Sequence, residues 1–303
     1  MKEFKLRLPA TSANLGPAFD TAALALDLSL EVRAARAKEF SIVATGRDQD
    51  ICGRVEQHLI FNTYEEVLQA SGKKPAPLAL RIHNEFPIGK GCGSSAAARL
   101  AGIALAVHFA GLRWNGSRVV GEASHREHHP DNAAACWMGG VAVARMTGDR
   151  EAQVAHFVPK GSWPLLLAIP DEALATEKAR SVLPEQYSRA DVVSNIQNSM
   201  LLLAALFQGR AELLACALED KIHQPYRAEL CPLLPTLKQF PKENGVLGSV
   251  LSGAGPSVLM FLDHKVSPEK TKARVARHLK KSGLSAELLV TSISKRGGEA
   301  GLR

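Results

Sequence analysis

The chain has 303 residues, of which 46% are hydrophobic and 22% charged, and its formal net charge is +7. The length favours two domains, and the composition is that of a globular protein with apolar material for two cores. The basic excess does not indicate nucleic-acid binding, because the densest basic run, residues 265–281, has helical spacing and contains no aromatic residue on which a base could stack.

Two further features of the composition bear on location. The longest apolar run, residues 200–207, is too short to span a bilayer, so we expect no membrane partner. The five cysteines are an odd number, have no CxxC spacing and follow no signal peptide. This pattern predicts reduced thiols in a cytoplasmic protein.

The first half of the chain mixes strands and helices. Phe4, Leu6 and Leu8 alternate with charged residues, which predicts a strand that stops at Pro9. Alternation predicts further strands at residues 28–32, 40–44, 78–82 and 139–146, and apolar spacing predicts helices over residues 55–70, 94–110 and 119–127. Around residues 147–160 the pattern weakens and charge increases, so we divide the chain into an N-terminal domain, 1–155, and a C-terminal domain, 156–303.

The second half continues in the same mixed order. We predict strands at residues 165–169, 245–251, 257–262 and 286–291, helices at 192–207 and 211–218, and a basic helix before the last strand. Neighbouring strands are close in sequence. The fold class predicted is therefore α+β with largely antiparallel sheets rather than a doubly wound parallel sheet.

Residues 87–98, PIGKGCGSSAAA, carry the strongest chemical signal. Gly89, Gly91 and Gly93 alternate, so the backbone can approach a ligand closely, and Ser94 and Ser95 then open a helix whose N-terminus favours phosphate. A serine hydroxyl at this point is also a suitable magnesium ligand. The loop lacks the ending of a Walker A loop and is not a Rossmann fingerprint. On these residues alone, an ordinary glycine-rich turn capped by serines is equally compatible.

Three further segments favour phosphate binding: residues 9–20, PATSANLGPAFD; residues 127–132, EHHPDN; and residues 251–257, LSGAGPS. Together with the glycine-rich loop, in this order, they resemble the homoserine kinases of the GHMP kinase superfamily (galactokinase, homoserine kinase, mevalonate kinase and phosphomevalonate kinase). The resemblance covers nearly the whole chain, and the first segment is the part that points to homoserine kinases.

This resemblance has several implications. It implies an N-terminal domain like domain 2 of ribosomal protein S5, a ferredoxin-like C-terminal domain and an active site between them. It also implies an enzyme of threonine biosynthesis, a homodimer that uses ATP and Mg²⁺ to phosphorylate the side-chain hydroxyl of L-homoserine.

The resemblance assigns the nucleotide to the glycine-rich loop, although Lys90 by itself is better explained as a solvent-facing side chain. Ser95 resembles the magnesium-ligand serine, and a glutamate from the preceding helix should be the second ligand. Glu122 and Glu127 compete for this role, and we prefer Glu122 because it lies about two turns before His129 on the predicted helix. The nucleotide-binding residues are then Pro87, Gly89, Lys90, Gly91, Cys92, Gly93, Ser94 and Ser95.

The remaining site residues follow from the charges of homoserine. Asn14 and Asp20 match the family positions that hold the substrate ammonium, although alone they would be interpreted as a turn residue and a helix N-cap. Arg180 and Arg227 match the positions that hold the carboxylate, which arginine binds through two parallel hydrogen bonds. The resemblance also places His129 and Gly253 at the substrate, and implies catalytic roles for Asn132, His129 and Arg180.

Two residues depart from the family pattern. Ala18 and His128 stand where glycines are usual. A methyl group at position 18 is harmless if φ is negative and strained if φ is positive. These departures leave open another kinase of the superfamily that acts on a related hydroxy or amino acid, and a non-catalytic ATP-binding regulator is the alternative of a different class.

Overall fold

The computed structural model describes residues 3–301 and contains two β-sheets with helices packed against them. The strands are β1 (Phe4–Ala13), β2 (Ala22–Arg36), β3 (Ser41–Gly46), β4 (Leu78–Asn84), β5 (Val141–Gly148), β6 (Glu151–Phe157), β7 (Leu165–Ile169), β8 (Val246–Leu251), β9 (Val258–Leu262) and β10 (Glu287–Thr291). The helices are α1 (Gln49–Cys52), α2 (Leu59–Ala70), α3 (Ser94–Ala110), α4 (Gly116–Glu127), α5 (Asp131–Met138), α6 (Thr176–Ser181), α7 (Arg189–Gln208), α8 (Leu214–Ala217), α9 (Gln224–Arg227), α10 (Leu233–Lys238) and α11 (Pro268–Lys281). The prediction of an α+β fold is confirmed.

The first sheet has the order β3-β4-β2-β5-β6, and β1 also pairs with β2. β1 alternates as predicted, with Phe4, Leu6 and Leu8 buried. The predicted stop at Pro9 is wrong, because the strand continues to Ala13. A shift in its register with β2 between Pro9 and Thr11 accommodates the proline, which has no N–H to donate.

Three elements of the first half were not predicted, and the first is the short helix α1. The weakly patterned stretch after residue 147 contains β6, which pairs antiparallel with β5 and alternates between exposed and inward-facing residues. Helix α5 follows the HPDN segment directly. The domain boundary after residue 155 stays a prediction. In the structure, the last strand of the first sheet ends at Phe157 and the first strand of the second sheet begins at Leu165.

The second sheet has the order β10-β7-β9-β8 and is antiparallel throughout. Leu165, Leu167 and Ile169 of β7 face the core that the second sheet shares with the first half, whereas Leu166 and Ala168 face a second core beneath α10 and α11. Burial on both faces explains the unbroken apolar run of this strand. The two halves therefore pack on one continuous core, and the site lies where their loops meet.

Candidate active site between the two sheets

The glycine-rich loop connects β4 to α3 and lies between β1 and the loop after β8. The N–H of Thr11 donates to the carbonyl of Cys92 at 3.0 Å, and the hydroxyl of Ser252 donates to the carbonyl of Gly91 at 2.6 Å. A Cβ atom at Gly91 would lie 2.2 Å from the Ser252 carbonyl oxygen, and one at Gly93 would lie 1.9 Å from the Thr11 hydroxyl. Both glycines also have positive φ, of 77° and 69°. This packing therefore requires glycine at both positions.

Helix α3 begins directly after this loop. The first N–H groups of a helix have no acceptor within the helix and carry partial positive charge. Ser94 and Ser95 occupy this first turn, and the hydroxyl of Ser94 accepts a hydrogen bond from the N–H of Gly89 at 3.3 Å. The loop and helix thus form the type of backbone cradle that binds phosphate groups.

Two cavities of different chemistry meet at this cradle, and both are lined by Gly89, Ser94 and Ser95. The larger, of about 460 Å³, is mainly apolar and lies between α1, α2 and β4. The smaller, of about 120 Å³, is lined mostly by polar and charged residues from both halves of the chain. The smaller cavity contains Asn14, Asp20, Gly91, Gly93, Glu127, His129, Asn132, Arg180, Arg227 and Gly253.

The structure brings Asn14 and Asp20 together in the loop after β1. Asn14 donates from Nδ2 to the carbonyl of Gly253 at 2.8 Å and accepts at Oδ1 from the N–H of Asp20 at 2.9 Å. Both residues have positive φ, of 70° and 51°, a region that asparagine and aspartate tolerate better than most residues. Asn14 therefore fixes the loop against the second half of the chain while it lines the cavity.

Asp20 and Arg180 form an ion pair across the smaller cavity. Nη2 of Arg180 lies 2.8 Å and 3.0 Å from the two carboxylate oxygens of Asp20, and both side chains are partly exposed. The guanidinium groups of Arg180 and Arg227 also lie over the ring of Phe19, at 5.6 Å and 5.3 Å from its centroid. The cavity thus presents a carboxylate and two guanidinium groups around one aromatic ring.

Arg227 is buried, with 1% of its surface exposed. Its Nε donates to the carbonyl of Ala179 at 2.8 Å, and its Nη1 lies 3.1 Å from Nδ1 of His223. His223 donates from Nε2 to the carbonyl of Gly16 at 2.8 Å, so Nδ1 is free to accept from Arg227. Burial, together with the charge of Arg227, lowers the pKa of His223 to about 4, and the ring is neutral at physiological pH.

His129 and Asn132 lie at the start of α5. Nδ1 of His129 is 2.7 Å from the Asp131 carboxylate, which also accepts from the N–H of Asn132 at 2.6 Å. Burial lowers the pKa of His129, but the hydrogen bond to Asp131 and the charge of its carboxylate outweigh this effect, so the pKa is raised above its usual value. The amide oxygen of Asn132 accepts from the hydroxyl of Thr11 at 2.6 Å.

The two candidate magnesium glutamates occupy different environments. Oε1 of Glu127 accepts from the hydroxyl of Ser95 at 2.6 Å and from Nε of Arg99 at 2.5 Å. Magnesium prefers hard oxygen ligands, and this pair supplies a hydroxyl and a carboxylate at the first turn of α3. The donor set of Ser95 and Glu127 therefore fits a magnesium ion.

The preference for Glu122 is corrected by this geometry. Glu122 is buried away from both cavities, and its carboxylate lies 2.6 Å from Arg126, 3.1 Å from Arg118 and 3.1 Å from Arg150. Three guanidinium groups surround this carboxylate, although its Oε2 accepts no hydrogen bond, and they link α4 to the turn before β6. Glu127 is the residue that the structure brings to Ser95.

A second group of oxygen and nitrogen ligands lies in the smaller cavity, where Asp20, His129 and Asp131 place one ligand atom each within 4.8 Å of one another. Asp20 is already paired with Arg180, and Asp131 is paired with His129. The group contains no residue of the glycine-rich loop or of α3, so a metal ion here would have no ligand at the phosphate cradle, whereas Ser95 and Glu127 provide one.

The two departures from the family pattern differ in their effect. Ala18 is buried and does not have positive φ, so its methyl group is accommodated without backbone strain. His128 ends α4 with φ of 66°, in the left-handed region that favours glycine. Its side chain is exposed, so the substitution places the strain at the helix end rather than in the cavity.

Several lining residues were not identified from the sequence. Phe19 belongs to the segment 9–20 and Thr176 lies four residues before Arg180, but an aromatic and a hydroxyl residue carry no signal of their own. The larger cavity draws on α1, α2, β2 and β4, which are far apart in sequence, so no contiguous motif indicates it. Its lining includes Leu30, Ile51, Cys52, His58, Leu59, Ile60, Ile82, Phe86 and Ile88.

Comparison with known proteins agrees with this architecture. Residues 58–140 match the N-terminal domain of the GHMP kinases, and residues 202–281 match the GHMP kinase C-terminal domain. A homoserine kinase of Solibacter usitatus (strain Ellin6076) is 40% identical over 296 residues, which cover 98% of this chain and 96% of the relative.

Two solved structures share the fold. The crystal structure of homoserine kinase from Cytophaga hutchinsonii has a TM-score of 0.82 at 23% identity, and covers 98% of this chain and 96% of its own. Phosphomevalonate kinase of Streptococcus pneumoniae, in complex with phosphomevalonate and AMPPNP, has a TM-score of 0.69 at 15% identity. The match covers 97% of this chain and 100% of the kinase. The two-domain fold and the extended sequence similarity together show that this chain belongs to the homoserine kinase family of the GHMP kinases.

Proposed function

We propose that the chain transfers the γ-phosphoryl group of ATP to the side-chain hydroxyl of L-homoserine and releases O-phospho-L-homoserine and ADP. The observation that carries this proposal is the meeting of an apolar cavity and a charged cavity at Ser94 and Ser95. A base fits the apolar cavity, the triphosphate fits the glycine-rich loop, and a small zwitterion fits the charged cavity.

The charges of the smaller cavity support an amino acid as the acceptor. The Asp20 carboxylate is suited to an ammonium group, and Arg180 and Arg227 are suited to a carboxylate. Asp20 and Arg180 form an ion pair with each other in this structure. A bound amino acid would replace this single ion pair with two, one at each end of the substrate. A neutral sugar could not compensate either charge, which disfavours a sugar kinase.

Phosphoryl transfer needs positioning and charge stabilisation more than covalent participation of the protein. The substrate hydroxyl oxygen forms the new bond to the γ-phosphorus, the bond to the bridging oxygen of ADP breaks, and the hydroxyl proton leaves to solvent. Ser95 and Glu127 would hold magnesium, which when bound offsets the negative charge of the phosphate oxygens. His129, held by Asp131, lies beside the cavity, and Asn132, held by Thr11, would orient the acceptor.

The test is release of ADP from the purified protein with Mg-ATP and a panel of acceptors: L-homoserine, L-serine, L-threonine, mevalonate and galactose. We expect strong release with L-homoserine alone. Release with another acceptor would keep the kinase and replace the substrate. ATP binding without turnover of any acceptor would favour a non-catalytic regulator.

We also propose that the protein is a homodimer that pairs through α7. Val193, Ile196, Met200, Leu203 and Phe207 recur at alternating intervals of three and four residues, the spacing of a helix–helix seam. All of them except Leu203 are exposed large hydrophobic residues. By length and composition alone, the helix is also apolar enough to cross a membrane. The opposite face is anchored in the fold through buried residues such as Leu202 and Leu206.

A second copy fits this seam because the helix is almost free of charge. Its charged residues, Arg189 and Asp191, both lie in the first turn. We expect Ile196→Glu and Met200→Glu to convert a dimer to a monomer in light scattering coupled to size exclusion. Val43→Glu, at an exposed position of β3, is the control that leaves the mass unchanged. A wild-type monomer at micromolar concentration would refute this pairing.

Location and pathway complete the proposal. All five cysteines are free thiols, which suits a reducing compartment, and we propose a cytoplasmic enzyme of threonine biosynthesis.

A further inference from the structure

Arg99 lies at the proposed magnesium site and has no part in the roles derived above. It follows Ser95 by four residues on α3, so the two side chains share one face of the helix. Its Nε lies 2.5 Å from Oε1 of Glu127, the same oxygen that accepts from the Ser95 hydroxyl. Both partners of this ion pair are largely buried, with 23% and 12% of the side chains exposed.

This contact sets the charge that a metal ion meets. A carboxylate paired with a guanidinium has no net charge, and its Oε1 already receives two hydrogen bonds. A divalent cation held by Ser95 and Glu127 would have to break the hydrogen bond between these two residues, and it would then lie beside the positive charge of Arg99. A nucleoside triphosphate reverses the balance, because its phosphate oxygens supply negative charge for the metal and for Arg99 together.

We infer that Arg99 is a positioning residue that makes metal binding at Glu127 dependent on a bound nucleoside triphosphate. This inference rests on the proposed function, since it takes Glu127 as the metal ligand. It gives Arg99 two states: paired with Glu127, as in this structure, and paired with a phosphate oxygen when the metal and the nucleotide are bound.

The test uses Mn²⁺ as the probe and needs neither homoserine nor turnover. Binding to the full chain is followed by loss of the free Mn²⁺ signal in electron paramagnetic resonance, with and without AMPPNP, and is measured as the loss beyond that caused by the same AMPPNP concentration without protein. We expect the wild-type protein and Arg99→Lys, which keeps the charge, to bind Mn²⁺ only with AMPPNP. Arg99→Met, which keeps the length of the side chain, should bind Mn²⁺ alone about tenfold or more tightly than wild type.

A double variant shows where the gained ion binds. Arg99→Met with Glu127→Gln should lose the binding that Arg99→Met gained. Equal affinity of the wild-type protein and Arg99→Met without nucleotide would overturn the inference, and so would gained binding that survives Glu127→Gln. Failure of the wild-type protein to bind Mn²⁺ even with AMPPNP would instead refute the proposed function.

Discussion

Replacing the two competing glutamates of α4 should produce opposite results. Glu122→Ala removes a buried carboxylate whose oxygens lie within 3.1 Å of Arg118, Arg126 and Arg150. Removing one partner of a buried ion pair costs about 3–5 kcal/mol, because the remaining charge is left uncompensated. Arg118 and Arg150 are about one third exposed and can regain water, so we expect about 3 kcal/mol.

Glu127→Ala should cost less stability than Glu122→Ala and should abolish magnesium-dependent turnover. Its carboxylate faces the cavity and pairs with the single, partly exposed guanidinium of Arg99. The assay is denaturant unfolding of both variants, followed by ADP release with Mg-ATP and L-homoserine below the unfolding midpoint. At about 2 °C per kcal/mol, Glu122→Ala should also lower Tm by about 6 °C.

The matched control is Glu66→Ala, since the exposed carboxylate of Glu66 contacts Arg126 from outside the buried cluster. An exposed ion pair contributes less than about 1 kcal/mol, so this variant should be nearly as stable as wild type. A stable but inactive Glu122→Ala, together with an active Glu127→Ala, would refute the assignment of both residues.

Three further predictions test the site and its supports. Gly93→Ala should lower the free energy of unfolding by about 2–3 kcal/mol and weaken ATP binding, because the backbone is left-handed there and the Thr11–Asn132 hydrogen bond is lost. The control is Gly283→Ala, which has a similar φ and open space around it. It should cost only about 1 kcal/mol in the same unfolding assay. His223 has a pKa depressed to about 4, so its contribution to stability is complete above pH 6.5 and is lost as pH falls towards 4. Between pH 6.5 and 4 the free energy of unfolding of His223→Gln should therefore fall by up to about 3 kcal/mol less than that of the wild type. Equal pH profiles of stability would contradict a neutral buried ring. Arg180→Ala should raise KM for L-homoserine more than tenfold with KM for ATP unchanged, and unaltered homoserine kinetics in steady-state assays would remove Arg180 from the carboxylate site.

Much of the fold was accessible from hydrophobic periodicity, most clearly where one element buries a broad face. Helix α3 has the predicted bounds, because its apolar run is framed by Gly93 and Gly111, both in the left-handed region. The strand β7 is also found as predicted. By contrast, β6 is an edge strand with a wet face, and the charged residues Asp149, Arg150 and Glu151 at its start obscured the alternation.

The site shows a different limit. The motifs pointed to loops that the structure brings together, but Glu122 and Glu127 cannot be distinguished by residue type. Five residues on a helix correspond to a rotation of about 140°, so only one of the two faces Ser95. The flanking Arg118 and Arg126, each one turn from Glu122, were the available sign that this carboxylate is compensated locally. Arg150 approaches from the next hairpin and was not predictable from sequence.

The loop that carries Asn14 and Asp20 links these observations. It belongs to the first half of the chain, yet the second half fixes it: Gly253 accepts from Asn14, and His223 donates to the carbonyl of Gly16. Helix α7 adds a third contact, because Asn195 donates to the carbonyl of Pro17 at 2.7 Å.

The same helix carries the apolar seam on its outer face. Pairing of α7 with a second copy would therefore stiffen the helix that supports the acceptor loop, while the glycine-rich loop and the apolar cavity keep their own supports in the first half. Monomerising substitutions on α7 should thus raise KM for the acceptor and leave ATP binding nearly unchanged. An equal loss of affinity for both substrates would show instead that dimerisation supports the fold as a whole.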